Sequence, residues 1–180
     1  MADLQVRFVT KEIEQSSFDC GVDSINQYIK QSYFPLLLQH AYTFQVSGNG
    51  IVLGYYQVLF REIELNDFPE DISDFQSDVK EQSLSAVHIR FIAVDKRYQG
   101  NRIGTAMLQM IVKSVMELSV SWPVRVITID AVNHLTGWYE KIGFKRLLRN
   151  TPGQEGVTSA MYIDCMHFSD ELEAYICESM

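Results

Sequence analysis

The chain has 180 residues, 47% of them hydrophobic, which is enough for one domain with a substantial core. Fifteen Lys and Arg stand against 23 Asp and Glu, a formal charge of −8, so the broad basic surface on which nucleic acids or anionic membranes bind is not expected. The first residues carry no signal-peptide pattern, and the longest apolar stretch, residues 51–60, is too short to span a bilayer.

In chain order, residues 6–9 read as a first strand. Asp23 or Ser24 is placed to cap a helix through Ile25, Tyr28 and Ile29, which Pro35 interrupts or restarts. Residues 42–46 are β-type, Ser47-Gly48-Asn49-Gly50 is a hairpin turn, and residues 51–60 return as the partner strand. Residues 66–83 form a polar connection with one helical turn, carrying Asp67, Glu70, Asp71, Asp74, Asp78 and Glu81 against Lys80. Residues 87–94 are the next strand. From Ile103, the residues Met107, Met110, Ile111, Val115 and Leu118 recur at spacings of three and four, the pattern of an amphipathic helix that Pro123 ends. Residues 124–129 form a strand, and residues 133–141 a short helix ending before Gly143. Residues 144–148 and 157–163 are the last strands, with Thr151-Pro152-Gly153 between them, and residues 169–180 a terminal helix. The order predicts a single α/β (α+β) domain over residues 1–180, a mixed sheet flanked by helices.

Chemistry concentrates in residues 87–118, where an apolar strand, a Gly-containing turn and a long helix follow one another. Such a turn aims backbone N–H groups at one spot, at the positive end of a helix dipole, and so makes an anion site. Lys96, Arg97 and Arg102 add a local basic patch. No Lys-Ser or Lys-Thr follows the second glycine and GxGxxG is absent, which excludes a P-loop and a dinucleotide fingerprint. The alternative is a tight strand-to-helix turn with glycines for backbone geometry. The three cysteines, Cys20, Cys165 and Cys177, are odd in number and far apart, without metal-ligand spacing, so a reduced cytoplasmic protein without a metal site is expected.

One strand downstream lies Trp138-Tyr139-Glu140-Lys141-Ile142-Gly143-Phe144. Together with the Gly turn it resembles the GNAT family of acetyl-CoA-dependent N-acetyltransferases, over residues 87–148. The resemblance implies a GNAT-type mixed, mostly antiparallel sheet. It implies that Gln99, Gly100, Asn101, Arg102, Ile103, Gly104 and Thr105 hold the CoA pyrophosphate. It also implies that Phe91, Ile92, Ala93 and Val94 pair through backbone with the pantetheine arm, with Ile92 and Val94 as the bonding positions. Gln99 and Gly104 match the ends of the family's loop motif. Arg102 stands where the family usually has Gly, which either demands a positive φ from an unfavourable residue or adds a charge to a CoA phosphate.

By the same resemblance Tyr139 is the candidate general acid for the departing thiolate, its alternative being an aromatic packing role. His88, on a strand face with Arg90 and Ile92, sits where some members carry a Glu base. It either takes the amine proton, directly or through water, or is a polar residue on a half-exposed strand. Asn133 contacts CoA, orients a water or caps the following helix. The cysteines lie outside these motifs, so direct attack by a primary amine of a small molecule or peptide, in a ternary complex, is expected. The acidic run including Asp67, Glu70, Asp71, Asp74 and Asp78 either lines a groove for a cationic acceptor or faces solvent. Residues 18–29 look like the start of the GNAT toxins that acetylate aminoacyl-tRNA, where Phe-x-Cys-Gly before a short helix is common. Against that reading stands the acidic balance. A CoA-binding regulatory module without catalysis is the third reading. The apolar stretch 33–42 is either core or the contact of a homodimer.

Overall fold

The computed structural model describes residues 4–13, 17–69, 83–148 and 158–165. Most of the acidic connection, the Thr151-Pro152-Gly153 turn and the expected terminal helix lie outside these residues. The elements are β1 (Leu4–Phe8), α1 (Asp23–Lys30), α2 (Tyr33–Leu37), β2 (Tyr42–Gly48), β3 (Ile51–Glu64), β4 (Ser83–Val94), α3 (Ile103–Ser121), β5 (Val126–Val132), α4 (Thr136–Glu140), β6 (Lys145–Arg146) and β7 (Thr158–Asp164). The seven strands follow the order β1-β2-β3-β4-β5-β7-β6. The chain divides into two compact units, and β3, β4 and α3 each contribute residues to both.

The first unit holds residues 1–59 and 89–111. Its β2–β3 hairpin turns on Asn49 and Gly50, with φ of +51° and +77°. Two successive positive φ values match the right-handed twist of the flanking strands, as the Ser-Gly-Asn-Gly run predicts. β1 adds antiparallel to β2, from Leu4 opposite Gly48 to Phe8 opposite Phe44. Helix α1 begins at Asp23, but Val22 holds the N-cap position in extended conformation without a side-chain bond. Asp23 therefore serves the helix as a first-turn charge rather than as the expected cap. The core joins Val9, Phe18, Cys20, Ile29, Tyr55, Phe91 and Ala93, with Phe18 edge-on to Tyr55 at 4.9 Å. In the 33–42 stretch Phe34, Leu37 and Leu38 are exposed and only Ala41 is buried.

The second unit holds residues 60–88 and 112–180. Here β5 and β7 pair antiparallel from Val126 opposite Asp164 to Val132 opposite Thr158. β5 starts two residues later than the sequence predicts and runs three further. After Pro123 the Val124 N–H bonds back to Trp122, whereas Asp130, Ala131 and Val132 find ladder partners in Ala160, Ser159 and Thr158. β6 is only two residues long, because Gly143, at φ +108°, turns the chain and Phe144 is buried behind it. The expected helix over 133–141 is a 3-10 turn at Asn133–Leu135 followed by α4. Ile63, Leu65, Phe68, Ala86, Val126 and Tyr162 form the core. Arg125 spans both oxygens of Asp164 at 2.7 and 2.8 Å, the bidentate geometry of a strong ion pair.

Helix α3 is long and apolar enough by composition alone to cross a membrane. Its residues Met107, Leu108, Ile111 and Val115 are nevertheless buried in the protein, and Lys113 faces Glu117 at 3.9 Å on its polar side. Gly54 fixes how closely β3 is approached in the first unit. A Cβ there would lie 2.5 Å from the Ala93 carbonyl oxygen and 2.8 Å from the Met107 sulfur. We predict that Gly54→Ala costs about 1–3 kcal/mol through overpacking. In thermal melts this should appear as a drop of several degrees, and an unchanged melting midpoint would contradict the prediction.

Candidate active site

Asp95 follows directly on β4 and its side chain is fully buried. It caps the 3-10 turn Lys96–Tyr98 by accepting the Arg97 N–H at 2.9 Å. The same carboxylate takes Arg97 Nε at 2.8 Å and Arg97 Nη2 at 2.7 Å, with a longer contact from the Asp19 N–H at 3.4 Å. The Arg97 side chain holds the Asp95 carboxyl at about 2, below its ordinary 3.8. Lys96 Nζ lies 2.6 Å from Asp19, whose carboxyl is held well below the usual range first by that ammonium and then by the Gly21 N–H. Two of the three cations read from sequence as a basic patch are thus neutralised within the protein. Arg102 is exposed and makes no ion pair among the described residues.

The Gly turn itself is built by backbone reversal. Gly100 has φ +80° and Arg102 φ +60°, so Arg102 adopts the left-handed conformation that its place in the motif demands. Gln99 sends its amide N–H groups to the Val94 carbonyl at 3.0 Å and the Cys20 carbonyl at 3.1 Å. Its side chain ties β4 to the N-terminal segment. Asn101 donates to the Tyr98 and Gln99 carbonyls and braces the turn. Ile103, Gly104 and Thr105 open α3, at the end of a helix where first-turn N–H groups have no helical acceptor. Phe91 and Ala93 of β4 point into the core, while Ile92 and Val94 on the other face are half-buried.

The remaining candidates belong to the second unit. His88 is buried, with Nδ1 3.1 Å from Thr128 Oγ1 and Nε2 3.8 Å from Asp130 Oδ2. The reading of His88 as a half-exposed polar residue is therefore replaced by a buried, hydrogen-bonded one. Arg61 reaches the same Asp130 oxygen at 4.0 Å. Asn133 accepts from Ser159 Oγ at 2.8 Å, and the N-cap position of α4, Leu135, has no side-chain cap. Tyr139 is buried with Trp138 and Phe144 edge-on to its ring at 4.6 and 5.6 Å. Burial pushes its phenol up to about 12. Sequence reasoning missed Asp95 and Asp130. The signal for Asp130 was available: a single acid in the apolar run Val-Ile-Thr-Ile-Asp-Ala-Val, two residues from Thr128 and so on the same strand face. Among the described residues no group of three or more His, Cys, Asp or Glu is arranged to hold a metal.

Two substitutions test this reading of the turn. Asp95→Asn should lower the melting midpoint at neutral pH by about 5 °C, since it removes charge-assisted bonds from a buried acceptor. The folded carboxyl titrates near 2 against 3.8 unfolded, so its contribution is complete above the unfolded value and is lost as pH falls through about 2. The difference between wild type and variant should close over that window in acid melts. Arg102→Gly should stabilise by about 1 kcal/mol by relieving the left-handed backbone. A destabilised variant would show that the guanidinium contributes more than the strain costs.

Residues 77–162, which include the motif region 87–148, match the sequence profile of the acetyltransferase (GNAT) domain. No curated protein sequence matches the chain. Solved structures with the same fold include AtaT complexed with acetyl-methionyl-tRNAfMet, at 18% identity and a TM-score of 0.78 over 93% of this chain and 98% of that one. A tyrosine-to-phenylalanine mutant of KacT aligns at 19% identity and a TM-score of 0.74, over 93% and 98% of the two chains. AtaTR bound with AcCoA aligns at 18% identity and a TM-score of 0.72, over 97% and 98%. The strand–turn–helix of β4 and α3, the Tyr139 segment and the profile match identify an acetyltransferase (GNAT) domain over residues 77–162 of the chain.

Proposed function

We propose that this acetyltransferase takes its acetyl group from acetyl-CoA and delivers it to the α-amine of aminoacyl-tRNA, in the cytoplasm where charged tRNA is found. The carrying observation is that the toxin-like start of the chain is built into the Gly turn. Phe18 packs on Tyr55, the Lys96 N–H donates to the Asp19 carbonyl at 2.8 Å, and Gln99 donates to the Cys20 carbonyl. The likeness to AtaT and KacT over more than nine-tenths of the chain supports the same reading.

The acidic balance does not oppose a tRNA acceptor once it is located along the sequence. Residues 70–82 hold five acids against Lys80, and residues 166–180 hold four against no Lys or Arg. These two segments carry the whole of the −8, and the remaining residues are neutral in sum.

The loop fits a CoA pyrophosphate: the positive end of a long helix, a reversal through Gly100 and Arg102, and an exposed guanidinium. When bound, acetyl-CoA supplies a thioester activated for acyl transfer. The backbone of β4 at Ile92 and Val94 orients the pantetheine arm. The Val94 carbonyl already accepts from Gln99, which leaves its second lone pair for a ligand. Tyr139, protonated throughout the working range, hydrogen-bonds the departing sulfur. His88 takes the amine proton. Cys20 and Cys165 are buried, and burial raises both thiols, Cys165 to about 12. Neither is poised as a nucleophile, which supports direct attack by the amine.

The test is transfer of labelled acetyl from acetyl-CoA to charged tRNAs, beside a panel of small amines. We expect N-acetyl-aminoacyl-tRNA as product, and growth arrest on expression. Tyr139→Phe should lower kcat about 100-fold or more while leaving acetyl-CoA affinity intact, and should relieve the arrest. Transfer to small amines but to no charged tRNA would refute the acceptor assignment.

A further inference from the structure

We propose that Arg90 is a phosphate-binding residue, the guanidinium that takes a backbone phosphodiester of the tRNA. This deepens the reading above and rests on its choice of a tRNA acceptor. Four side chains of the first unit build the position: Tyr28 from α1, Thr43 from β2, Gln57 from β3 and Arg90 from β4. Thr43 and Gln57 stand opposite each other in the β2–β3 ladder and are buried, at 1% and 0% exposure. Arg90 is exposed, between buried Ile89 and Phe91. Gln57 Nε2 donates to Thr43 Oγ1 at 2.8 Å, which fixes the amide and presents its oxygen to Arg90. Arg90 Nη1 donates to that oxygen at 3.3 Å. The Tyr28 ring covers the guanidinium, with the Arg90 Cζ 4.8 Å from the ring centroid.

Neutral groups hold this arginine, which sets it apart from the structural cations of the same protein. Arg97 and Arg125 each close on a carboxylate at 2.7 Å, and Arg146 on Glu140 at 3.0 Å. Among the described residues Arg90 pairs with no carboxylate. Its orientation is therefore fixed while its charge is not neutralised. A solvated strand arginine needs no such support, and burying an amide and a hydroxyl is tolerable only when they are bonded. Here they bond each other and pass one acceptor outward to the guanidinium. The N–H groups of Arg90 not turned to Gln57 form a planar fork that matches two oxygens of a phosphodiester. A fork already held in place loses less freedom on binding than a mobile one.

Position along β4 decides which phosphate this is. Arg90 lies four residues before Val94, where the strand meets the Gly turn, a span of about 13 Å in extended chain. The pyrophosphate held at that turn is beyond its reach. Between the two runs the pantetheine arm, which carries no charge. The thioester end of the arm, and with it the acceptor, belongs toward Arg90. A cation in that place repels a bare ammonium or a polyamine and favours an amine that arrives with phosphates. Aminoacyl-tRNA has that character, since phosphodiesters join the nucleotides next to its aminoacyl ester. A contact of this kind reads no base and no side chain, so it adds affinity for every charged tRNA alike.

The experiment uses the full chain, with methionyl-tRNA and methionine amide as acceptors and uncharged tRNA in a binding titration that needs no turnover. Arg90→Gln should raise KM for methionyl-tRNA, and Kd for uncharged tRNA, about tenfold or more. KM for acetyl-CoA should stay unchanged, which also shows that the fold is intact. KM for methionine amide, which has no phosphate, should not rise. The slope of log Kd against log salt should become shallower by about one. Arg90→Lys keeps the charge without the fork, so it should restore the slope but only part of the affinity. Tyr28→Leu should weaken tRNA binding about two- to fivefold with the slope intact. A wild type that binds tRNA through Arg90 but acetylates only the amide would refute the aminoacyl-tRNA reading and leave the phosphate site standing. Equal affinity and slope in wild type and Arg90→Gln, an equal loss for methionine amide or acetyl-CoA, or a wild type that binds no tRNA would each overturn the proposal.

Discussion

A buried carboxylate at the end of a strand sets the geometry of the Gly turn and of the N-terminal segment beside it. Asp95 is enclosed, and an ionised group in that position is tolerable only if its lone pairs are filled. They are filled by the Arg97 backbone and guanidinium, with the Asp19 N–H alongside. The bonds within residues 95–97 force a 3-10 turn immediately after β4, so the chain leaves the strand in one direction. The contact with Asp19, with the Lys96–Asp19 pair and the Gln99–Cys20 bond, ties residues 17–21 to that turn. The N-terminal segment and the Gly turn therefore form one construction, although 75 residues separate them in sequence.

From this fixed exit the chain must reverse to begin α3, and it does so with two left-handed residues separated by Asn101. Alternation of this kind turns successive N–H groups toward a common centre. Gly100 adopts it freely. Arg102 does not, and a non-glycine residue stays there only because the turn before it and the helix after it over-determine its backbone. Such strain is concentrated where a ligand is met. The side chain it brings is the one cation of the local three that is not engaged by a carboxylate.

Local chemistry made much of the fold legible. The hairpin was readable from Asn49-Gly50, and α3 from its apolar spacing, because turn type and helix period depend on neighbours in sequence. The positive φ of Arg102 was readable for a similar reason, as a mismatch inside a motif of known shape. What escaped depended on distance. Lys96 and Arg97 read as free charges because one of their partners, Asp19, lies far upstream. Asp130 escaped because its significance comes from His88 and Arg61 on two other strands. β5 was misjudged at both ends since its limits are set by the β7 ladder rather than by its own residues. Net charge misled for the opposite reason: a single sum concealed that two short segments hold all of it.

Burial determines what Tyr139 can contribute to the proposed reaction. A phenol pushed up to about 12 holds its proton more tightly than a thiol, which titrates near 8.5 in water. Burial raises a thiol for the same reason, so the phenol acts on the departing sulfur first through its hydrogen bond. In an apolar setting lined by Trp138 and Phe144, a hydrogen bond to developing negative charge is stronger than in water. Tyr139 is thus fitted to stabilise the sulfur while the C–S bond stretches, with the proton that completes the thiol arriving as the product returns to water. Its effectiveness depends on the aromatic wall that raises its pKa, so the packing of the Trp-Tyr segment and its chemistry are two consequences of one arrangement.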